Sequence, residues 1–456
     1  MSEARVVRYI EANQKRFLGE LVGWLKIPSI SGLPKHRSDV LRAGDHVSRM
    51  LGGLGFKTKL LTSKGHPSVY AERIEDPKLP ILLIYGHMDV QPVDPLTQWK
   101  HPPFDPWLED GRLYGRGTAD DKGQVMIHIK ACEALIKMTG GLPLNVKFII
   151  EGEEEVGSPN FEAIVKENRD RLTSTFTVIS DTSMVGKGLP TVAYATRGLV
   201  YFEVSAEGPK TDLHSGSFGG AVVNPLLALA KVLSGMVDER GRVAIPGFYS
   251  GVAALTAKEK RWFSMVKSLG GEIEQVAGVP ALGGEKGLGL VERVWARPTF
   301  EVHGLSGGFQ GPGSKTIIPQ NAMAKVSMRL VPGQDPARVA KMFTDHVRRS
   351  APKGVRVSVQ EIPGGGPAFI EDVEQPAFRC AGEALKAAFG VEPVFARCGG
   401  SIFAPEIFKR YYPKTPGVLM GFGLPGENAH APNEWRDLDN FQKGSITCAD
   451  YYGRLA

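Results

Sequence analysis

An acidic segment with three consecutive glutamates follows a short apolar stretch. The apolar run 144–150 is typical of a buried strand, and Glu151-Gly-Glu-Glu-Glu-Val-Gly157 closes it. Adjacent carboxylates at a strand end repel one another unless a cation lies among them, and a divalent metal ion removes that repulsion. An isolated acidic triplet is more often a solvated turn. The metal interpretation is favoured here because other strand ends of the chain have matching side chains.

Imidazole and carboxylate side chains occupy comparable positions after other predicted strands. His87 and Asp89 follow the apolar run 80–85, and Asp181 follows the run 176–180. Because alternate residues of an extended segment share a face, His87 and Asp89 would lie side by side. One of the two side chains could then bind a metal ion while the other orients that ligand. The candidate ligands are two histidines and four carboxylates: His87, Asp89, Asp120, Glu155, Asp181 and His430.

This donor set is sufficient for two divalent ions that share a bridging carboxylate. Nitrogen and oxygen donors without thiolate fit Zn²⁺, with Mn²⁺ or Co²⁺ as alternatives. Two such ions about 3.5–4 Å apart polarise a carbonyl and activate a water molecule. A glutamate left over beside a ligand, Glu153 or Glu154, is then placed to take the proton of the water and pass it to a leaving amine. The residues therefore predict metal-assisted hydrolysis of an amide bond.

The elements that position these residues follow an α/β pattern. The apolar runs 80–85, 144–150 and 176–180 are typical of strands that are covered on both faces, and segments of helical periodicity alternate with them. The first of these segments predicts one amphipathic helix that starts near Val6 and ends before Pro28. The alternation predicts a doubly wound sheet, in which ligands gather beyond the carboxyl ends of the strands.

The pattern changes after the third of these strands. Alternating strands and capped helices then follow in the order β-α-β-β-α-β, which is ferredoxin-like, with an insertion at about 240–295. Gly364-Gly-Gly-Pro367 is interpreted as a linker, after which the chain returns to the α/β pattern of its first part. We therefore expect a doubly wound α/β domain made of residues 1–195 and 367–456, into which a ferredoxin-like α+β domain of residues 196–366 is inserted; the resemblance described below implies that the first is the catalytic domain and the second a lid and dimerisation domain.

Composition argues against several classes of function. The formal net charge is +6 over 456 residues, and no basic-aromatic array indicates nucleic-acid binding. No stretch approaches the ~18 consecutive apolar residues of a membrane-spanning helix, and no signal-peptide pattern opens the chain. The cysteines form no Cys-x-x-Cys pair and fit the reduced thiols of a cytoplasmic protein. They are Cys132, Cys380, Cys398 and Cys448.

A set of motifs runs in order along nearly the whole chain. They are Gly86-His-Met-Asp-Val90, Tyr114-Gly-Arg-Gly-Thr-Ala-Asp-Asp-Lys-Gly123, Glu151-Gly-Glu-Glu-Glu-Val-Gly-Ser158, Ser180-Asp181, Asp212-Leu-His-Ser-Gly216, Gly313-Ser-Lys-Thr-Ile-Ile-Pro319, Arg329-Leu-Val-Pro332, Gly399-Gly-Ser401 and His430. With these motifs the sequence resembles the family of co-catalytic zinc dipeptidases, aminoacylases and related carboxypeptidases, and within it the cytosolic nonspecific dipeptidase and carnosinase-like branch. The resemblance implies a homodimeric enzyme that hydrolyses small peptides.

The resemblance also implies a role for each ligand. One metal ion would be held by His87, Asp120 and Asp181, and the other by Asp120, Glu155 and His430, so that Asp120 bridges the two. Arg329 would pair with the substrate carboxylate. Four further residues would line the substrate site beside it: Thr316, Asn321, Gly400 and Ser401.

Other implied roles concern catalysis. Glu154 would be the general base, and Asp89 would orient His87. The Asp120–Asp121 peptide bond would be cis. His214 would reach across a dimer interface from the lid of the partner subunit and stabilise the oxyanion.

Two departures from the family pattern concern substrate preference rather than metal chemistry. Glu374-Gln-Pro-Ala377 stands where dipeptidases of this branch often have His-Pro-His, and Phe403 stands where proline usually follows Gly-Gly-Ser-Ile. The alternatives among enzymes are an N-acyl-amino-acid deacylase or a carboxypeptidase of the same family. A non-catalytic binding protein on the same fold is an alternative of another class, against which the complete ligand set with Glu154 argues.

Overall fold

A nine-stranded mixed sheet forms the centre of the molecule in a computed structural model that describes residues 2–266 and 269–456. The strands are β1 (Lys57–Leu61), β2 (Ser68–Arg73), β3 (Ile81–His87), β4 (Trp107–Glu109), β5 (Arg112–Tyr114), β6 (Asn145–Glu151), β7 (Phe176–Ile179), β8 (Thr191–Thr196), β9 (Gly198–Glu207), β10 (Leu213–His214), β11 (Thr299–Gly307), β12 (Ile317–Ile318), β13 (Asn321–Leu330), β14 (Arg356–Gly366), β15 (Phe369–Ile370), β16 (Val394–Cys398), β17 (Gly417–Leu419) and β18 (Trp435–Asp437). The helices are α1 (Ser2–Ala12), α2 (Gln14–Leu25), α3 (Arg37–Gly53), α4 (Lys122–Thr139), α5 (Phe161–Glu167), α6 (Ser215–Phe218), α7 (Pro225–Ser234), α8 (Ala257–Met265), α9 (Leu269–Ala277), α10 (Leu290–Ala296), α11 (Pro336–Ser350), α12 (Pro376–Phe389), α13 (Ala404–Tyr411) and α14 (Leu438–Leu455). Within the described residues, no helix combines the length and the apolar character needed to cross a membrane.

The strands that end at the candidate ligands lie side by side in this sheet. β3 pairs in parallel with both β6 and β7. Leu82 and Ile84 of β3 pack into the core on one face of the sheet, and Leu83 and Tyr85 pack into the core on the other. Burial on both faces explains why this strand is a continuous apolar run. The carboxyl ends of β3, β6 and β7 therefore meet at one edge of the sheet.

Helices cover both faces of the sheet. On one face, α4 packs against α14 and α1 over a large apolar cluster. On the other face, α5 and α13 pack together over a second cluster. α4 begins directly after Asp121 and ends at Thr139, and the following Gly140 has a φ of 85°, a left-handed conformation that glycine adopts without strain. The predicted doubly wound α/β architecture is confirmed.

The second large sheet has four antiparallel strands in the order β11-β13-β9-β14. Along the chain this unit reads β9-α7-β11-β13-α11-β14, which is the predicted ferredoxin-like order. The side chains of Asn224 and Asp335 cap α7 and α11, and a proline occupies the first turn of each helix. Phe202 of β9 and Phe343 of α11 pack in the core between the helices and the sheet.

Two details of the sequence prediction are wrong. The expected single N-terminal helix is two helices, α1 and α2, which are separated at Asn13. The Asn13 side-chain amide donates to the carbonyl of Tyr9 at 2.8 Å, a local hydrogen bond that competes with the regular helix. The expected linker at 364–367 is not free chain, because β14 continues to Gly366 and pairs with β9 after a register shift beyond Ile362.

The predicted insertion forms α8, α9 and α10 and packs against the central sheet. Phe263 and Trp295 from the insertion share an apolar cluster with Ala396 of β16. Beside this cluster, the buried Arg397 guanidinium donates from Nε to Glu259 Oε1 of α8 at 3.0 Å. A buried ion pair and an apolar cluster thus hold the insertion against the strand that leads into the Gly399–Ser401 loop.

Candidate metal centre

The candidate ligands converge at the carboxyl edge of the central sheet. His87 ends β3, and Asp181 directly follows the loop residue after β7. Asp120 precedes α4, and Glu155 lies in a 3₁₀ turn after β6. His430 lies in the loop between β17 and β18, and its φ of 65° places a non-glycine residue in the left-handed region. Such backbone strain occurs where surrounding contacts hold a side chain in a functional position.

Asp120 lies between the two histidines. Its Oδ1 is 2.9 Å from His87 Nε2, and its Oδ2 is 2.8 Å from His430 Nε2. His87 Nε2 is 4.0 Å from Asp181 Oδ1, and His430 Nε2 is 3.1 Å from Glu155 Oε2. In each of two groups, His87 with Asp120 and Asp181, and Glu155 with Asp120 and His430, the donor atoms all lie within 4.8 Å of one another. The structure therefore brings the five predicted ligands together in two groups that share Asp120.

The chemistry of both groups fits a divalent cation. Carboxylate oxygens and imidazole nitrogens are the donors that such ions bind in proteins. Burial and the charge of Glu154 raise the pKa of Asp181 well above its usual value, and burial and Asp120 raise the pKa of Glu155. Buried carboxylates that hinder one another's ionisation in this way are stabilised when a cation lies among them. The donor atoms and the burial of both groups thus suit divalent metal ions.

Asp89 contacts both His87 and the turn that carries the glutamates. The fully buried Asp89 carboxylate lies 3.4 Å from His87 Nδ1, and the Asp89 carbonyl oxygen lies 3.1 Å from the same nitrogen. The carboxylate also accepts hydrogen bonds from the backbone N–H groups of Glu154 and Glu155, at 3.3 and 3.1 Å. Partners on the Nδ1 side of the ring leave Nε2 directed at the cluster.

Glu154 lies beside the first group of ligands. Its Oε2 is 3.9 Å from His87 Nε2. Burial raises the pKa of Glu154 to about 8, with the neighbouring carboxylates adding to the effect and the His87 charge opposing it. Glu153 is engaged elsewhere, because its carboxylate accepts from His66 N at 2.8 Å and from Asn160 Nδ2 at 2.9 Å. The geometry therefore favours Glu154 over Glu153 as a proton acceptor at the cluster.

A buried glutamate that no sequence pattern reveals fixes the segment of Asp120. Glu434 accepts hydrogen bonds from three backbone N–H groups of residues 117–120, at 2.7–3.0 Å, and from the Arg116 guanidinium at 2.7 Å. It lies in an irregular loop, and 314 positions separate it from Asp120. Its place four residues after His430 is the one sequence feature that connects it with the site. In the segment that Glu434 holds, the peptide bond between Asp120 and the next residue is cis, as the resemblance implied.

A cavity of about 640 Å³ extends from the two ligand groups to the loop after β16. Gly400 and Ser401, both implied at the substrate site, line this cavity. Arg329 reaches the same loop from β13, where its Nη1 donates to Ser401 Oγ at 2.7 Å. A volume of several hundred Å³ with a few polar groups at one end is suited to a small molecule.

The other predicted site residues lie on and beside strands β10, β12 and β13. His214 is exposed, and its Nδ1 accepts from Gly216 N at 3.1 Å. Thr316 lies beside it, since its carbonyl accepts from Ser215 N at 3.0 Å, and Asn321 is the exposed first residue of β13. Within the described part of the chain, His214, Thr316 and Asn321 are not among the residues that line the cavity.

Comparisons with known proteins agree with this geometry. A sequence model of Peptidase family M20/M25/M40 matches residues 83–452. The chain is 31% identical to the Beta-Ala-His dipeptidase of Mus musculus, over 99% of this chain and 95% of the relative. The fold is similar to that of the dipeptidase Dug1p of Saccharomyces cerevisiae, with a TM-score of 0.87, 29% identity and coverage of 100% and 99% of the two chains. It is also similar to an M20 family metallo-carboxypeptidase of Sulfolobus solfataricus, with a TM-score of 0.86, 33% identity and coverage of 96% and 99%.

Proposed function

Because the chain belongs to Peptidase family M20/M25/M40, we propose that it is a metal-dependent dipeptidase that hydrolyses the amide bond of small peptides with a free carboxylate. The observation that carries the proposal is the position of Asp120, which directs one carboxylate oxygen at each histidine. A carboxylate placed between two ligand groups is the arrangement of hydrolases with two metal ions. Full-length relatives named as a Beta-Ala-His dipeptidase and a Cys-Gly metallodipeptidase support the same class of substrate.

The metal ions are proposed to be two Zn²⁺ per subunit, with Mn²⁺ or Co²⁺ as alternatives, because the donors are nitrogen and oxygen. His87, Asp120 and Asp181 would hold one ion, and Asp120, Glu155 and His430 would hold the other. When bound, two such ions would polarise the scissile carbonyl and lower the pKa of a water molecule.

The side chains of the protein move the protons and hold the substrate. Glu154 takes a proton from the attacking water and delivers it to the leaving amine, while Asp89 keeps the His87 ring in place. Arg329 binds the substrate carboxylate, for which the planar guanidinium offers two parallel donors. The other proposed contacts with the substrate come from Thr316, Asn321, Gly400 and Ser401. His214 of the partner subunit stabilises the oxyanion.

We also propose that residues 196–366 form a lid domain through which two chains associate, inserted between residues 1–195 and 367–456 of the catalytic domain. β11 is an edge strand of the four-stranded sheet and has exposed apolar side chains, with Val302 47% and Leu305 52% exposed. An unpaired edge with apolar side chains is suited to pairing with another chain. The position of His214 outside the cavity of its own chain supports the same arrangement.

The dimer is tested by dilution. Specific activity is expected to fall together with the dimer fraction when both are measured over one concentration series by kinetics and sedimentation velocity. Leu305→Glu is expected to raise the protein concentration at which dimer and activity appear, because a charge at the apolar edge opposes association. The exposed control Lys341→Glu on α11 is expected to leave that concentration unchanged. A monomer with full specific activity would contradict the proposal.

A cytoplasmic location is proposed from the thiols. All four cysteines are free in the structure, and Cys132 and Cys448 are buried. Unpaired cysteines in a chain of this size are typical of a reducing compartment.

The function is tested with a small panel of substrates. Enzyme stripped of metal is expected to be inactive on Ala-Ala and β-Ala-His and to recover activity with Zn²⁺ or Mn²⁺, because the water is activated only when both ligand groups are filled. Cleavage of N-acetyl-Ala alone would identify a deacylase. Release of the C-terminal residue from longer N-blocked peptides would identify a carboxypeptidase, the activity named for the Sulfolobus solfataricus structure. No turnover with both metal ions bound would favour a binding protein.

A further inference from the structure

Two guanidinium groups lie close together beside the cavity. Arg197 directly precedes β9, and Arg329 lies in β13. The register of these antiparallel strands pairs Arg329 with Leu199 and Leu330 with Gly198. Arg197 and Leu199 are two residues apart, so the two arginines are diagonal neighbours on one face of the sheet.

Both arginines are directed at the loop that lines the cavity. Arg197 Nε donates to the Gly399 carbonyl at 2.7 Å, and Arg329 Nη1 donates to Ser401 Oγ at 2.7 Å. Gly399 and Ser401 both line the cavity that contains the two ligand groups. Cys398, the preceding residue, lies near both cations, since burial raises the pKa of its thiol and the charges of Arg197 and Arg329 lower it.

Neither guanidinium group forms an ion pair in the described part of the chain, because no carboxylate oxygen there lies within 4.0 Å of its nitrogen atoms. Burial and the charge of Arg329 lower the pKa of Arg197 to about 10 even though the negative charge of Glu301, which forms no ion pair with Arg197, opposes this shift. Burial also lowers the pKa of Arg329. By contrast, the buried Arg116 is paired with Glu434 at 2.7 Å. Partly buried cations that repel each other are costly unless an anion joins them, so the pair is suited to an anionic ligand.

We propose that Arg197 and Arg329 form a two-cation subsite that selects dipeptides whose C-terminal residue is Asp or Glu. The inference rests on the proposed function, in which Arg329 binds the main-chain carboxylate. Arg197 then binds the side-chain carboxylate of the same residue, through charge-assisted hydrogen bonds that a neutral side chain does not form. Cys398 is small and neutral in its thiol form, so the positive charge of the pair remains available to the substrate.

The test is the ratio of kcat/KM for Ala-Glu to that for Ala-Gln, because the two peptides differ in one charged group. In the wild-type enzyme the ratio is expected to be about tenfold or more, the effect of one hydrogen bond between charged groups. Arg197→Gln is expected to bring the ratio close to one. Cys398→Glu is expected to do the same, because it places a carboxylate between the two cations, and the matched neutral variant Cys398→Gln is expected to keep the wild-type preference.

Calorimetric binding of free glutamate and glutamine measures the subsite without turnover. Tighter binding of glutamate by the wild type, lost in Arg197→Gln, supports the proposal. Equal kcat/KM values for the two peptides in the wild type, or an unchanged ratio in Arg197→Gln, would overturn it. Turnover of Ala-Ala but of neither of these peptides would likewise overturn the subsite. Turnover of none of the three peptides would contradict the dipeptidase function instead, and the binding measurement would then decide on the subsite.

Discussion

Replacing Glu154 by glutamine is expected to lower kcat by about 10²–10⁴-fold while both metal sites remain filled. The amide has nearly the shape of the carboxylate but cannot accept the proton of the attacking water. Glu154 lies beside the ligand groups without being a member of either. Burial raises the pKa of Glu154 to about 8, and two cations in the adjacent groups would favour its ionised form, so that a base is present near neutral pH. Steady-state kinetics on Ala-Ala, together with metal analysis of the purified variant, measure both parts of the expectation.

The matched control is the same substitution one position earlier. Glu153→Gln is expected to lower kcat far less than Glu154→Gln, because Glu153 bonds to His66 N and Asn160 rather than to the cluster. A large loss in Glu153→Gln with little effect in Glu154→Gln would reverse the assignment of the base. A loss of metal in Glu154→Gln would show that this residue is itself a ligand.

The clustering of the ligands was predictable because it depends on a rule of sheet topology. Parallel neighbouring strands end at the same edge, so polar residues after the runs 80–85, 144–150 and 176–180 had to lie close together. The ferredoxin-like unit was predictable for a similar reason, since its strands alternate and two of its helices begin with a capping residue followed by proline. In both cases a local pattern specifies the element and its neighbours.

Residues that act through tertiary contacts were not predictable from such patterns. Glu434 lies in a loop without periodicity, and its role depends on the approach of the segment 116–120 from a distant part of the chain. Arg197 has the sequence pattern of an ordinary polar residue before a strand, and the role proposed for it depends on the register that places it beside Arg329. The break at Asn13 likewise depends on a side-chain hydrogen bond that competes with the helix.

Asp120→Asn is expected to lower kcat/KM by about 10³-fold or more and to reduce the metal content from two ions per subunit to one or fewer. The variant retains one carbonyl oxygen, but an amide nitrogen replaces the second oxygen and cannot serve as a ligand. Since the two oxygens of Asp120 face different histidines, one ligand group must lose a donor. The loss corresponds to about 4 kcal/mol of transition-state stabilisation. Equilibrium dialysis with Zn²⁺ and kinetics at rising metal concentration measure both effects, with the surface variant Asp345→Asn as the control.

Glu434→Gln separates loss of a ligand from loss of its positioning. Glu434 contacts the backbone of Asp120 but none of the atoms that would bind metal, and a glutamine amide would direct its own N–H donors at the N–H groups of residues 117–120. Metal affinity is therefore expected to fall about 10–100-fold, the effect typical of a residue that holds a ligand in place. Excess Zn²⁺ is expected to restore most of the activity of Glu434→Gln and none of the activity of Asp120→Asn. Two tightly bound ions in Asp120→Asn would contradict the shared-ligand arrangement, and wild-type affinity in Glu434→Gln would contradict the positioning role.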